Sequence, residues 1–272
     1  MARREQEEES VFRKLSRLVE KWEKYSFLFS QLAIRDFKKK YKRTVLGVFW
    51  SVLSPMLTLL VMRVVFTNFF GRNIEHYTTY LFIGNLVFGY FRESTTLGMI
   101  ALMQNASVIN KINIPKYLFV MSSNMTSLLN FALTLVVMFI FVAIDGVLFT
   151  WRFIFLLFPI ACLLIFNVGM GLILSAMYVF FRDMQYLYNV ITMILMYMSA
   201  IFYPVDGYSV FVQRLFLLNP LYVYIKYFRV IILDGNIPSL AFHGLCLLYA
   251  AFSFAIGALV YKKNNQRFLY YL

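Results

Sequence analysis

The chain has 272 residues, of which 61% are hydrophobic and 14% charged, and its mean hydropathy is +0.70. Soluble domains carry about 25% charged residues, so this composition argues against a single water-soluble core. The net charge of +13 would suit nucleic acid or anionic lipid, but 13 of the 26 Lys and Arg fall within residues 1–43, beside apolar sequence. That placement favours lipid headgroups over nucleic acid.

In chain order, Val11, Phe12, Leu15, Leu18, Val19 and Trp22 recur at helical spacing with basic residues between them. The pattern fits a helix lying on a membrane surface or packed on a partner protein. Next comes a basic cluster, Lys38, Lys39, Lys40, Lys42 and Arg43, directly before the first long apolar run. This run begins too late and is too long to be a signal h-region, so no cleavable leader is expected.

Six spans follow, at about 46–70, 78–98, 118–144, 153–180, 186–203 and 239–261. Each has roughly the 20 apolar residues that a helical crossing needs. The reading is an all-α polytopic membrane protein, with residues 1–45 as a cytoplasmic amphipathic and basic interface segment and 46–272 as the transmembrane domain. Basic residues at 35–43, Lys111, Lys116, Arg182, Lys262, Lys263 and Arg267 fall on one side, which places both termini in the cytoplasm. Segment 204–238 breaks this pattern with Arg214, Lys226 and Arg229, yet is itself apolar. It is expected to form short re-entrant helices in the outer loop between the fifth and sixth spans.

The chemistry of an enzyme is sparse. No phosphate-binding loop or metalloprotease motif is present, the histidines are His76 and His243, and no metal site is expected. Cys162 and Cys246 read as small buried residues inside apolar runs. Gly169 and Gly171, with Ser175 beyond them, read as a close helix-packing face. Arg63 and Glu93 are the ionisable residues well inside spans and so candidates for function. Arg63 should lie roughly 25 Å above the inner end of its span and Glu93 only about 8 Å above the inner face, so they are not expected to pair. Glu93 instead suits a local network on the cytoplasmic side. Arg182 and Asp183 suit either an anchor at a helix start or a relay of partner movement.

Polar stripes mark three spans. Ser51, Ser54 and Thr58 lie on one face of the first, and Gln185, Asn189, Thr192, Met196, Ser199 and Tyr203 on one face of the fifth. Ser123, Ser127, Asn130 and Thr134 form a rival stripe on the third. Such stripes serve either as a pathway for a hydroxyl-rich cargo or as glue between helices. Segment 104–115, with Asn105, Ser107, Val108, Ile109, Asn110, Lys111 and Ile112, suits a short amphipathic helix that docks into a partner groove, or an interfacial loop.

Several stretches together resemble one family. Thr44-Val45-Leu46-Gly47-Val48-Phe49-Trp50-Ser51-Val52-Leu53-Ser54-Pro55 is similar to the first-span motif of type-2 ABC exporter permeases. Asn105 to Pro115, Phe180-Phe181-Arg182-Asp183-Met184, Ile201-Phe202-Tyr203-Pro204 and Leu218-Asn219-Pro220 follow that family's order and spacing. The nearest group is the exporters of polysaccharides and polyol phosphates, such as O-antigen and teichoic acid. The resemblance implies a permease in the bacterial cytoplasmic membrane that pairs with a second copy of itself and with two ATP-binding cassette subunits. Those subunits would bind the ATP and magnesium, leaving this chain without a cofactor. The implied cargo is an undecaprenyl-diphosphate-linked polymer. The resemblance also assigns segment 105–112 to ATPase docking, the first- and fifth-span stripes to the channel lining, and the basic cluster to the approach of the lipid headgroup. A membrane-embedded transferase on lipid-linked sugars, or a permease for small lipids or drugs, stands as the alternative.

Overall fold

A computed structural model of the chain describes residues 25–40, 42, 47–70, 75–112, 114–265 and 267–271. The amphipathic pattern at 11–22 and Arg43 lie outside these. The described residues form helices, turns and irregular segments, with no strand among them. That is the expected solution in lipid, where a helix satisfies its own backbone groups.

Helix α1 covers 25–40, a stretch that the apolar periodicity does not announce. It is held by Leu32 and Ala33, both buried. A short 3-10 turn, Gly47–Phe49, leads into α2, Trp50–Phe70. Helix α3, Tyr77–Gln104, runs six residues beyond the expected end of its span, and the single turn α4, Ala106–Ile109, follows it. Helix α5 is Tyr117–Ile144, and a 3-10 segment, Trp151–Leu156, opens α6, Leu157–Phe180. Helix α7 is Met184–Met198, α8 Val210–Phe216, α9 Pro220–Ile232, α10 Leu240–Asn264 and α11 Phe268–Tyr271.

Helix α5, the 3-10 segment with α6, and α10 are each long and apolar enough to cross a membrane unaided, and α8 with α9 form a pair bent by 105°. The expected short helices between the fifth and sixth spans are therefore present. The core is built around α3, which packs against α2, α5, α6, α7 and α9. Its axis is close to α6 at the Gly98–Gly171 crossing, where a Cβ on Gly98 would come within 3.0 Å of the Gly171 Cα. Gly169, two residues away and on the opposite side of α6, meets Ser253 and Phe254 of α10 instead. The glycine pair thus serves two interfaces, and Ser175 adds a 2.6 Å hydroxyl contact to Tyr261 of α10.

The fifth span departs from the sequence reading. Helix α7 ends at Met198, five residues short of the expected boundary. Ala200 adopts a left-handed conformation, φ 51°, which an L side chain resists and which stops the helix. Beyond it, four consecutive carbonyls accept from side chains. Arg229 donates to Ala200 at 2.9 Å and Ile201 at 3.0 Å, Tyr77 to Phe202 at 2.9 Å and Tyr80 to Tyr203 at 2.8 Å. Non-helical backbone at membrane depth is tolerated where protein satisfies it. Asn219 fixes the same corner. Its Oδ1 caps α9 by accepting from the Leu221 N–H at 3.0 Å, and its Nδ2 donates to the Met198 carbonyl at 3.1 Å. Pro220 then occupies the first helical position, which needs no donor.

Candidate functional site

Two cavities that share Glu93 lie between α1, α2, α3 and α5. The first, about 300 Å³, is a groove lined by Ser54 and Thr58 of α2, Asn85, Gly89 and Glu93 of α3, and Asn130 of α5. Thr134 and Met196 also reach it. The first-span stripe is thus brought together with the outer half of the third-span stripe. On α3, Asn85, Gly89 and Glu93 recur every fourth residue, which on a helix is one face. That line of small and polar residues was readable in the sequence and was missed there.

The fifth-span stripe divides. Gln185 and Asn189 are exposed, while Thr192 and Ser199 are buried against the bundle. The Thr192 hydroxyl donates to the Asn189 carbonyl at 2.9 Å, and Ser199 donates to the Leu195 carbonyl at 2.6 Å. Tyr203 donates to the Tyr197 carbonyl at 2.7 Å. On α2, Ser51 is half-buried and Thr58 donates to the Ser54 carbonyl at 2.9 Å. Ser123 and Ser127 likewise bond back to carbonyls of α5. Of these, Thr58 lines the groove, and a hydroxyl bonded within its own helix presents a lone pair or methyl there rather than a demanding donor.

The second cavity, about 660 Å³, lies towards α1 and the turn α4. Arg35, Asp36, Lys39 and Lys40 line it, with Glu93 and Asn105 opposite. Lys40 Nζ sits 2.6 Å from Glu93 Oε1, and Asn130 Nδ2 donates to the same oxygen at 2.6 Å. The partners found for Glu93 are thus Lys40 of α1 and Asn130 of α5, whereas Arg63 is exposed on α2. Arg35 bridges Asp36 and the Asn105 side chain, each at 2.7 Å. Lys38, Lys39 and Lys42 are exposed beside them.

Asn105 is therefore engaged within this chain. It is buried at the start of α4, donating to the Ala101 carbonyl at 2.8 Å while accepting from Arg35. Ile109 is buried too and Val108 is half-buried, so the segment's apolar side is packed on this chain. Ser107, Asn110, Lys111 and Ile112 are exposed. The helix there is one turn of four residues, shorter than the amphipathic helix expected, because Pro115 and the next helix start leave it no room. Lys116 is buried just beyond, and burial pulls its ammonium below the usual lysine range. Its Nζ donates to the Asn265 carbonyl at 2.6 Å, tying this segment to the end of α10. Arg182 and Asp183 are exposed at the α6–α7 turn, and Asp183 holds the N-cap position of α7 without a side-chain cap bond.

Among protein families, the one described as ABC-2 type transporter matches residues 28–233. The chain belongs to the ABC-2 type transporter family. It is accordingly a multi-pass membrane permease of a transport system rather than an enzyme, and permeases of this type work with ATP-binding cassette partners. Similar proteins include the O-antigen export system permease protein RfbA of Myxococcus xanthus, 28% identical over 93% of this chain and 98% of that protein. The protein of the same name from Klebsiella pneumoniae is 27% identical over 89% of this chain and 95% of its own length. The polysialic acid transport protein KpsM of Escherichia coli is 20% identical over 88% and 93%. In this ABC-2 permease the matched region takes in the lining of both cavities, from Arg35 to Met196, and the α4 turn.

Proposed function

We propose that this chain is the permease subunit of an ATP-driven exporter that moves a lipid-linked cell-envelope polysaccharide across the bacterial cytoplasmic membrane. The observation that carries the reading is the pair of cavities that meet at Glu93, one cationic and near α4, the other setting Ser54, Thr58, Asn85, Asn130 and Thr134 among mainly apolar side chains. A lipid diphosphate and its sugar need those two environments in that order. The relatives named for O-antigen and polysialic acid favour a polysaccharide over a teichoic acid.

In this reading α2, α3, α5, α6, α7 and α10 are the six spans, with both termini cytoplasmic. Helix α7 covers about 22 Å, and the side-chain-supported segment after it completes the crossing. A second copy covers the apolar faces of α2 and α7, where Val61, Val64, Ile194 and Tyr197 are exposed. That places Asn189 and the groove near the two-fold axis. Two ATP-binding cassette subunits, which hold the ATP and magnesium, dock on Ser107, Asn110, Lys111 and Ile112.

Co-purification tests the docking. Asn110→Glu and Lys111→Glu together should weaken capture of the ATP-binding partner by roughly tenfold and leave the melting temperature of the permease unchanged, since both side chains are exposed. Normal capture with normal transport would overturn the assignment of α4.

A further inference from the structure

Glu93 lines both cavities. Its Oε1 is shared by Lys40 from the inner side and Asn130 from the groove side, each at 2.6 Å. Glu93 is thus the residue that the two cavities share. The inner cavity offers three cations, Arg35, Lys39 and Lys40, against two carboxylates, Asp36 and Glu93. Arg35 is already committed to Asp36 and Asn105. Lys40 is held by a partly exposed pair, a class of contact that contributes little stability and exchanges readily. A lipid diphosphate brings more negative charge and more acceptor oxygens than one carboxylate, so it competes well for this ammonium.

We propose that the inner cavity is a lipid-phosphate site, and that a bound phosphate takes Lys40 from Glu93 and so opens the passage into the groove. The inference rests on the export reading above and adds a specificity-determining role for Glu93. A lipid whose headgroup has no net negative charge, phosphatidylcholine included, leaves the pair closed. The bared Glu93 carboxylate, still held by Asn130, then faces the groove beside Arg92, while the headgroup stays with the lysines of α1. Because Arg35 joins the same cavity to Asn105, the start of α4 senses its occupation.

The test uses the permease with its ATP-binding partner in phosphatidylcholine vesicles, with ATP hydrolysis measured against added undecaprenyl diphosphate or phosphatidylglycerol. The natural pair should respond to an anionic lipid phosphate over the phosphatidylcholine background, and the two additions show whether the cargo carrier or bulk anionic lipid supplies it. Glu93→Gln should lower the half-saturating lipid concentration about fivefold or more, because a competitor for Lys40 is gone. Exchanging the charges, Lys40→Glu with Glu93→Lys, should keep the complex assembled but remove the response, since a carboxylate now stands in the phosphate's place. If the exchanged variant responds like the natural protein, the pair is only a brace and the latch is overturned. If an intact complex of the natural protein responds to neither lipid, it is the export reading that fails. Should Glu93→Gln not assemble, the exchanged variant still decides the matter.

Discussion

Gly169→Val is expected to remove the folded permease from the membrane. A Cβ on Gly169 would sit 2.4 Å from the Ser253 carbonyl carbon, 2.5 Å from the Phe254 nitrogen and 2.5 Å from the Ser253 Oγ. Two of these are backbone atoms of α10 and cannot rotate away, so the helices must separate. The contact is reciprocal, since a Cβ on Gly257 would come within 2.6 Å of the Gly169 oxygen. Close backbone approach at small residues is how membrane helices gain dispersion contacts without a hydrophobic drive. Overpacking a yielding core costs about 1–3 kcal/mol, and here nothing yields, so the loss should exceed that range. Ser253 also donates to the Phe166 carbonyl at 3.0 Å, a bond that separation would break. Gly244, on the same helix with open space around its Cβ position, provides the control. Gly244→Ala should be neutral or stabilising, as glycine is the weaker helix former by about 1 kcal/mol. Size-exclusion profiles of the detergent-extracted variants distinguish the two outcomes. A monodisperse, normally melting Gly169→Val protein would contradict the α6–α10 packing.

Arg229→Ala is expected to unravel the outer corner. The guanidinium lies over the Tyr80 ring at 3.4 Å and serves the carbonyls of Ala200, Ile201 and Tyr80. Gly84 makes room for it, because a Cβ there would come within 3.2 Å of Nη2 and 2.9 Å of the Ile201 side chain. Each buried carbonyl left without a donor costs roughly 1–3 kcal/mol, so the total should reach about 3 kcal/mol or more. For a chain of this size that corresponds to a fall in melting temperature of roughly 10 °C. Arg229→Lys should recover little of it, since one ammonium cannot span three carbonyls as a planar fork does. Lys226→Ala, four residues from Tyr222 on the same helix, removes an outer ion pair to the exposed Asp206 and should change the melting temperature little. Proteolysis of the intact membrane protein should show new cleavage within 199–209 for Arg229→Ala alone. Equal melting of the natural protein and Arg229→Ala would show that the corner stands without its cation.

These two residues also show how far the sequence could be read. Gly169 was legible, because a small residue in an apolar span with Ser175 at helical distance has few other uses. Its separation from Gly171 into two interfaces was not, since that depends on which helices flank α6. Arg229 stood out as a breach of the positive charge pattern. Its explanation is that the cation is buried and bonded inside the protein, so it says nothing of which side its loop occupies. The early end of α7 was hidden for the same reason: the donors that satisfy residues 200–203 lie on α3 and α9, distant in sequence. The helical nature of 25–40 was masked by its cationic end, and only two of its residues, Leu32 and Ala33, are buried. The polar stripes were each visible. Which of them meet was not, because a groove is a property of several helices. The joining of Ser54 and Thr58 with Asn130, and the turn of Thr192 and Ser199 into the bundle, are products of packing.

The export reading is tested most directly by following a labelled undecaprenyl-diphosphate-linked saccharide across vesicles that contain the permease and its ATP-binding partner. Gly89 is the informative position, since it lines the groove and a Cβ there meets nothing within 4 Å. ATP-dependent delivery of the saccharide to the far side is expected for the natural protein. Gly89→Phe should block delivery while the fold and the ATP-binding partner are retained. Delivery that proceeds without ATP, or at an unchanged rate through Gly89→Phe, would contradict the account.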